Sequence, residues 1–168
     1  MEKIREHFKK WGFTLVEIII VIAIIGIISS IILVSFSGVR ERARDAKRKS
    51  EIAQIGRFLT LSCYLPDGGE GEYDLLVLAN EMLSKYPQYS KYLSNIPKDP
   101  KTGDESQSKY IYIVNADATK CTLYANLENK KEPVTLPLTV PTPGGGTGVL
   151  ESESSGWNGT PLYFQYSN

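Results

Sequence analysis

Residues 9–28 of the chain, KKWGFTLVEIIIVIAIIGII, place a basic leader directly before a long apolar run that carries a single carboxylate, Glu17. The apolar character extends from Phe13 to Phe36. A helix of that length spans roughly 36 Å at about 1.5 Å per residue, which is enough to cross a bilayer. A lone strand in lipid would leave its backbone groups unpaired. We therefore predict a membrane-spanning helix over residues 13–36.

Glu17 is unusual because a carboxylate at mid-bilayer costs about 3 kcal/mol, and less near the end of a helix. Ten isoleucines between Ile18 and Ile32 contribute roughly −5 kcal/mol of insertion energy, so the segment still inserts. One interpretation is an interfacial acid favoured by the helix dipole. The favoured interpretation is that Glu17 is neutralised by a cation that comes from elsewhere. Cleavage between Gly12 and Phe13 would create an amine on Phe13 that can pair with Glu17 of a neighbouring helix.

The charges of the chain are balanced overall but segregated along the sequence. The 168 residues hold 19 Lys and Arg against 19 Asp and Glu, so no overall field steers nucleic acid. Residues 40–57 hold seven basic side chains against three acidic ones. We interpret this basic stretch as a solvated helix face or a contact with lipid headgroups, with nucleic-acid binding as the less favoured alternative. The single histidine, His7, lies in the leader, and no spacing of His, Cys or carboxylates suits a metal.

From Val39 onward the pattern stays helical, with small side chains at steps of three and four. A larger apolar face follows, formed by Ile52, Ile55, Leu59 and Cys63. We predict that the helix continues to about Cys63, where LPDGGEGEYD breaks it. A second, short amphipathic helix is predicted in DLLVLANEMLSKYP, which Pro87 ends. Its apolar side consists of Leu75, Leu78, Met82 and Tyr86.

Two strands are predicted next, in KYIYIVNA and KCTLYANLE, joined at Asp117 to Thr119 as a hairpin. On the second strand, the face expected to lie toward the long helix consists of Cys121, Leu123, Ala125 and Leu127. The segment EPVTLPLTVPTPGGGTG has four prolines and is predicted to be an edge or an extended loop. The segment TPLYFQYSN is predicted to return as a last strand.

The two cysteines, Cys63 and Cys121, fall on inferred core-facing sides. If the globular part lies outside the cytoplasm, they can form one disulfide. It would close a loop of about 59 residues and stabilise the fold by roughly 4 kcal/mol in the loop-entropy model. Two buried free thiols are the alternative. Neither cysteine has His or basic neighbours arranged for catalysis, and we predict no catalytic residue.

The leader and the start of the apolar run resemble the class III signal of type IV pilins and type II secretion pseudopilins. The matching elements are the basic leader, Gly12 before the cut, then Phe13, Thr14 and Leu15, and Glu17 as fifth residue of the processed chain. The resemblance implies that a membrane-embedded prepilin peptidase cuts after Gly12 and methylates the amine of Phe13. It also implies that Glu17 attracts that amine on an adjacent subunit during filament assembly.

The resemblance implies the α+β pilin fold, in which a long N-terminal helix packs in its upper half against a small antiparallel sheet. Residues 1–12 are then a removed leader, 13–36 the transmembrane and assembly helix, 37–63 the soluble half of that helix and 64–168 the globular head. The head is expected outside the cytoplasm, on a single-pass inner-membrane protein that later enters an extracellular or periplasmic filament. Expected partners are further copies of the chain, minor pilins, the prepilin peptidase, the inner-membrane assembly platform and, before assembly, the lipid bilayer.

The favoured function is structural: a subunit of a type IV pilus-like or type II secretion pseudopilus filament, without catalytic residues, cofactor or metal site. The order of loop and strands leans toward the G-type major pseudopilin. One alternative is a DNA-uptake pilin, in which the basic cluster from Arg40 to Lys49 or exposed tyrosines bind DNA. A less favoured one is a membrane-anchored binding module or enzyme. The sequence offers no nucleophile–base pair, metal cluster or phosphate loop for an enzyme.

Overall fold

The computed structural model describes residues 12–93 and 95–168, apart from the side chains of residues 31–37 and 92. The predicted leader, with His7, therefore lies outside the described residues up to position 11. The chain divides after Val39 into two compact units, Met1–Val39 and Arg40–Asn168. The helices and the antiparallel sheet confirm the predicted α+β class. The domain boundaries after residues 36 and 63 stay predictions.

The first helix, α1, spans Leu15–Leu59 and has 45 residues. No proline interrupts it, so the backbone hydrogen-bond ladder continues as predicted, and the helix ends shortly before the expected position at Cys63. Within the described residues, no helix has an apolar stretch long enough to cross a membrane. The transmembrane assignment of residues 13–36 stays a prediction.

Five antiparallel strands form one sheet in the order β1-β2-β3-β5-β4. The strands are β1 (Gly71–Asp74), β2 (Ile111–Val114), β3 (Cys121–Asn126), β4 (Gly148–Glu151) and β5 (Leu162–Ser167). Strands β2 and β3 form the predicted hairpin, with Val114 opposite Cys121, and β5 is the predicted last strand. Strands β1 and β4, which were not predicted, form the two edges of the sheet.

The proline-rich segment runs as an extended loop, as predicted, and it covers one edge of the sheet. The carbonyl of Val149 in β4 accepts the N–H of Thr135 at 2.8 Å and the N–H of Leu136 at 2.9 Å. The hydroxyl oxygen of Thr135 also accepts the N–H of Val149, at 2.9 Å. Because prolines cannot donate to a strand ladder, the segment makes such isolated bonds and forms no sixth strand. It thereby shields the β4 edge from pairing with other chains.

The second helix, α2, spans Leu75–Lys85 and begins directly after β1. Its N-cap is Asp74, whose carboxylate accepts the N–H of Leu76 at 2.9 Å. The same carboxylate accepts the N–H groups of Ser108 and Lys109, both at 2.9 Å. One side chain thus joins the start of α2 to the residues just before β2.

The predicted apolar side of α2 is confirmed for its first two turns. Leu75 and Leu78 are buried, and Met82 packs against the core. Tyr86 was placed on that side wrongly: α2 ends at Lys85, and the chain turns at Pro87, so the Tyr86 ring remains exposed. A single 3-10 turn (Pro87–Tyr89) and a short helix, α3 (Ser90–Leu93), follow.

The core of the second unit lies between α1 and the sheet. Ile52 of α1 is fully buried, in a cluster with Leu75, Leu78, Tyr110, Tyr112, Val114, Cys121, Leu123 and Ala125. Ile55, Leu59 and Cys63 pack against this cluster, which confirms the predicted apolar face of α1. Leu127 belongs instead to a second cluster with Val149 and Leu162. The upper part of α1 is therefore fixed on the sheet by apolar side chains.

Candidate functional site

The residues predicted for processing lie just before α1. Gly12 and Phe13 have irregular, exposed backbone, and the Phe13 side chain is 84% exposed. A Cβ atom at Gly12 would meet no described atom within 4 Å. The described fold therefore does not require glycine at position 12. The assignment of Gly12 and Phe13 as cleavage and methylation sites stays a prediction.

Glu17 forms a capping box with Thr14 at the start of α1. Thr14 Oγ1 accepts the N–H of Glu17 at 3.2 Å and donates to Oε2 of Glu17 at 2.8 Å. The N–H of Thr14 donates to the same oxygen at 2.8 Å. This role of Thr14 was not predicted, although the Thr-x-x-Glu spacing in TLVE is its sequence signature. Within the described residues, no hydrogen bond reaches the other carboxylate oxygen, Oε1.

The helix after Glu17 presents apolar side chains around its whole circumference. From Ile18 to Ile28, the isoleucine and valine side chains are 49–63% exposed, with no polar face between them. A helix that is apolar all round is normally surrounded by lipid or by other helices. This part of α1 is therefore suited to an apolar environment that the described residues do not supply.

Arg48 on α1 is fully buried and binds three carboxylates. Its Nε and Nη2 donate to the two oxygens of Asp99, both at 2.7 Å. Its Nη1 donates to Asp45 at 2.7 Å and lies 2.6 Å from Oε1 of Glu128. Asp45 belongs to α1, whereas Asp99 precedes β2 and Glu128 follows β3. These four residues, the Arg48 cluster, join α1 to two separate loops.

Further hydrogen bonds complete the Arg48 cluster. Asp45 accepts the N–H of Glu128 at 2.9 Å and the N–H of Asn129 at 2.8 Å. Arg44 donates to both oxygens of Glu128, at 2.8 and 2.6 Å. Every buried side-chain nitrogen and oxygen within the described residues has a hydrogen-bond partner. Such full pairing is what makes a buried charge tolerable in a protein.

Two groups of the cluster, Glu128 and Arg48, have pKa values shifted toward their charged forms. Burial raises the pKa of Glu128, but the hydrogen bonds from Arg44 and Arg48 outweigh burial and lower that pKa to about 2. Burial lowers the pKa of Arg48, but the hydrogen bonds and charge of Asp99 outweigh burial and raise that pKa above its usual value. Glu128 and Arg48 are therefore charged throughout the physiological pH range.

The interpretation of residues 40–57 as a solvated face is wrong for Asp45 and Arg48, which are buried. The Lys49 side chain is not freely solvated either, because it is partly buried and pairs with Glu132 beyond β3. The basic residues of this stretch that are exposed and have no ion pair among the described residues are Arg40, Arg42 and Arg57. The basic side chains at the centre of this stretch, Arg44, Arg48 and Lys49, are thus paired with carboxylates of the same chain. This pairing makes them less available to bind DNA phosphates.

Cys63 and Cys121 are joined by a disulfide, with their Cα atoms 5.8 Å apart. Cys63 lies just beyond α1 and Cys121 begins β3. The Asn168 side chain lies beside the bond: its Oδ1 accepts the N–H of Cys121 at 3.0 Å, and its Nδ2 lies 3.6 Å from the sulfur of Cys63. The disulfide links the end of α1 to the sheet, at the end of β3 opposite to the Arg48 cluster.

Comparison with known proteins finds relatives that share one name. The type II secretion system core protein G of Escherichia coli (strain K12) is 32% identical over 98 residues, 55% of this chain and 67% of that protein. The protein of that name from Vibrio cholerae is 27% identical over 121 residues, 70% of this chain and 77% of the relative. The one from Dickeya chrysanthemi is 30% identical over 97 residues, 58% of this chain and 52% of the relative. No protein-family model and no solved structure matches the chain.

Proposed function

This chain belongs to the family of the type II secretion system core protein G, and from that premise we propose that it is a structural subunit of a secretion pseudopilus. The chain is made as a precursor, cut after Gly12, methylated on Phe13 and held by its apolar helix in the inner membrane, with the head outside the cytoplasm. Copies then assemble through that helix. The observation that carries this proposal is the apolar surface of α1 between Ile18 and Ile28, exposed on all sides.

Glu17 sets the register of assembly in this proposal. In the single chain, the hydrogen bonds from Thr14 fall on Oε2. After cleavage, the amine of Phe13 on a neighbouring subunit binds the Glu17 carboxylate. A charge-assisted hydrogen bond is stronger than a neutral one, and more so in apolar surroundings. Helices that slide out of register lose this pair and leave both charges in an apolar environment.

The first test is mass spectrometry of the full chain isolated from membranes of its native host. The expected mature protein begins with N-methylated Phe13 and lacks residues 1–12. Gly12→Leu is expected to leave the precursor uncut, and because the described fold leaves open space at Gly12, the variant head should unfold at the wild-type temperature. A native protein that still begins with Met1 would contradict the proposal.

The second test separates the two roles of Glu17. Glu17→Gln keeps the capping box, because Gln also serves at this position, but it removes the charge. Glu17→Ala removes both. If Glu17 pairs with an amine across subunits, both variants insert into the membrane and both fail to form filaments in cells that express the assembly machinery. If Glu17 only caps the helix, Glu17→Gln assembles normally, and electron microscopy of sheared filaments distinguishes the results.

A further inference from the structure

Residues 84–91, SKYPQYSK, form a continuous exposed stretch at the end of α2 and after it, which we call the tyrosine–lysine surface. Tyr86 and Tyr89 are 42% and 52% exposed, and their rings meet edge to face with centroids 6.4 Å apart. Lys91 is exposed and has no ion pair among the described residues. Exposed tyrosines are enriched in protein interfaces, where their rings become buried.

A second surface carries the opposite charge. Glu151 ends β4 and Glu153 lies in the turn after it; both side chains are exposed. Neither has an ion pair among the described residues. We call these two residues the glutamate surface. Among the described residues, Lys91, Glu151 and Glu153 therefore have no ion-pair partner.

The two surfaces lie at opposite edges of the sheet. Helix α2 follows β1, which is one edge, whereas Glu151 belongs to β4, which is the other. With neighbouring strands about 4.8 Å apart, the edges of a five-stranded sheet are roughly 19 Å apart.

The two surfaces also lie at opposite ends of the strands. Glu151 pairs with Leu162 at the end of the sheet where β1 stops. Helix α2 starts at that end, directly after β1. It runs toward the opposite end, where the disulfide lies, because the hydroxyl of Tyr64, the residue after Cys63, donates to Glu81 of α2 at 2.7 Å. The tyrosine–lysine surface follows at that far end.

We infer that the tyrosine–lysine surface of one copy binds the glutamate surface of the next copy, an inference that rests on the proposed function. Two different, complementary surfaces at opposite sides of one molecule make a head-to-tail contact, and repeating such a contact generates an open helical filament. The aromatic rings of Tyr86 and Tyr89 supply the apolar area, and Lys91 faces Glu151 and Glu153. The occupant is thus a second copy of this chain.

Isotope-mixed cross-linking tests the contact directly. Mature chains that begin with Phe13, some with ordinary nitrogen and some with heavy nitrogen, are mixed in detergent and co-assembled by removing the detergent. The product is treated with a carbodiimide, which joins a lysine amine to a carboxylate in direct contact. The expected product is a peptide pair of mixed label that joins Lys91 to Glu151 or Glu153. Mixed-label pairs elsewhere but none between these surfaces would overturn the inference and leave the proposed function standing. Chains that stay monomeric overturn both.

Charge-reversal variants provide a second test of the same contact. Lys91→Glu and Glu153→Lys are each expected to lower the amount of filament recovered by sedimentation by at least about tenfold, because like charges then meet. The double variant restores the opposite pair and is expected to recover most of the yield. Lys131→Glu, at another exposed lysine without an ion pair among the described residues, is the matched control and should assemble normally. A double variant whose yield is no higher than that of the single variants contradicts the contact. Single-stranded DNA binding by the wild type that disappears in Lys91→Glu contradicts it too, because Lys91 would then bind nucleic acid.

Discussion

Replacing Arg48 by methionine removes the central cation of the Arg48 cluster and leaves Asp45, Asp99 and Glu128 facing one another in a buried site. Four nitrogen–oxygen contacts of 2.6–2.7 Å disappear. Removing one partner of a buried ion pair costs about 3–5 kcal/mol, because the remaining charge is uncompensated. Arg44 still binds Glu128, so we expect a loss near the lower end, about 3 kcal/mol.

The assay is thermal unfolding of the full chain in detergent, monitored by near-ultraviolet circular dichroism. This signal reports the packing of buried tyrosines such as Tyr110 and Tyr112. For a unit of the size of Arg40–Asn168, a loss of about 3 kcal/mol lowers the midpoint by roughly 11 °C. Arg42→Met is the matched control, since it makes the same change at an exposed position of the same helix. It should shift stability by no more than about 0.5 kcal/mol.

The pH dependence separates charge from packing. In Arg48→Met, protonation of a cluster carboxyl relieves the repulsion, so the loss of stability should shrink as the pH falls from 7 toward 4.5. A loss that stays constant over this range would mean that the missing side-chain volume, and not the missing charge, destabilises the variant. A loss below about 1 kcal/mol at pH 7 would refute the reasoning about buried pairing itself.

Three further changes test other parts of the fold. Glu128 has a pKa of about 2 in the folded chain against 4.5 as its usual value, so its contribution to stability is complete above pH 4.5 and is lost as the pH falls through about 2. Glu128→Gln should therefore flatten the acid limb of a stability profile measured between pH 5 and 2. Replacing both Cys63 and Cys121 by alanine should lower the free energy of unfolding in urea by about 4 kcal/mol, and reductant should then have no further effect. Gly56→Ala should destabilise by about 1–3 kcal/mol despite the better helix propensity of alanine, because the new Cβ would lie 2.6 Å from the Tyr166 ring; Gly56→Ala combined with Tyr166→Ala should lose less than the sum of the two single changes.

The elements that the sequence predicts well are those whose signal is local. Strands β2 and β3 are apolar or alternating over several residues and are flanked by clear turn residues, so their pairing as a hairpin could be predicted. The long α1 follows from an uninterrupted helical pattern. The edge strands β1 and β4 have four residues each and begin with Gly71 and Gly148, so their extended backbone depends on pairing with a neighbour strand rather than on their own propensity.

The Arg48 cluster could not be predicted, because its members are distant in sequence. Arg48 and Asp99 are 51 positions apart, and the residue type alone does not indicate whether an arginine is buried or solvated. The spacing of Asp45 and Arg48 indicated at most a pair on the surface of the helix. The capping box of Thr14 and Glu17 is the opposite case, since its whole signal lies within four letters.

The disulfide decides how a pulling force travels through the molecule. A tension applied between the start of α1 and Asn168 passes along the helix to Cys63 and crosses the covalent bond to Cys121. This covalent path bypasses residues 64–120, which include α2, β1 and β2, while the bond is intact. Mechanical strength under axial stress is then set by the β3–β5 pairing, where antiparallel hydrogen bonds join Thr122–Asn126 to Tyr163–Ser167.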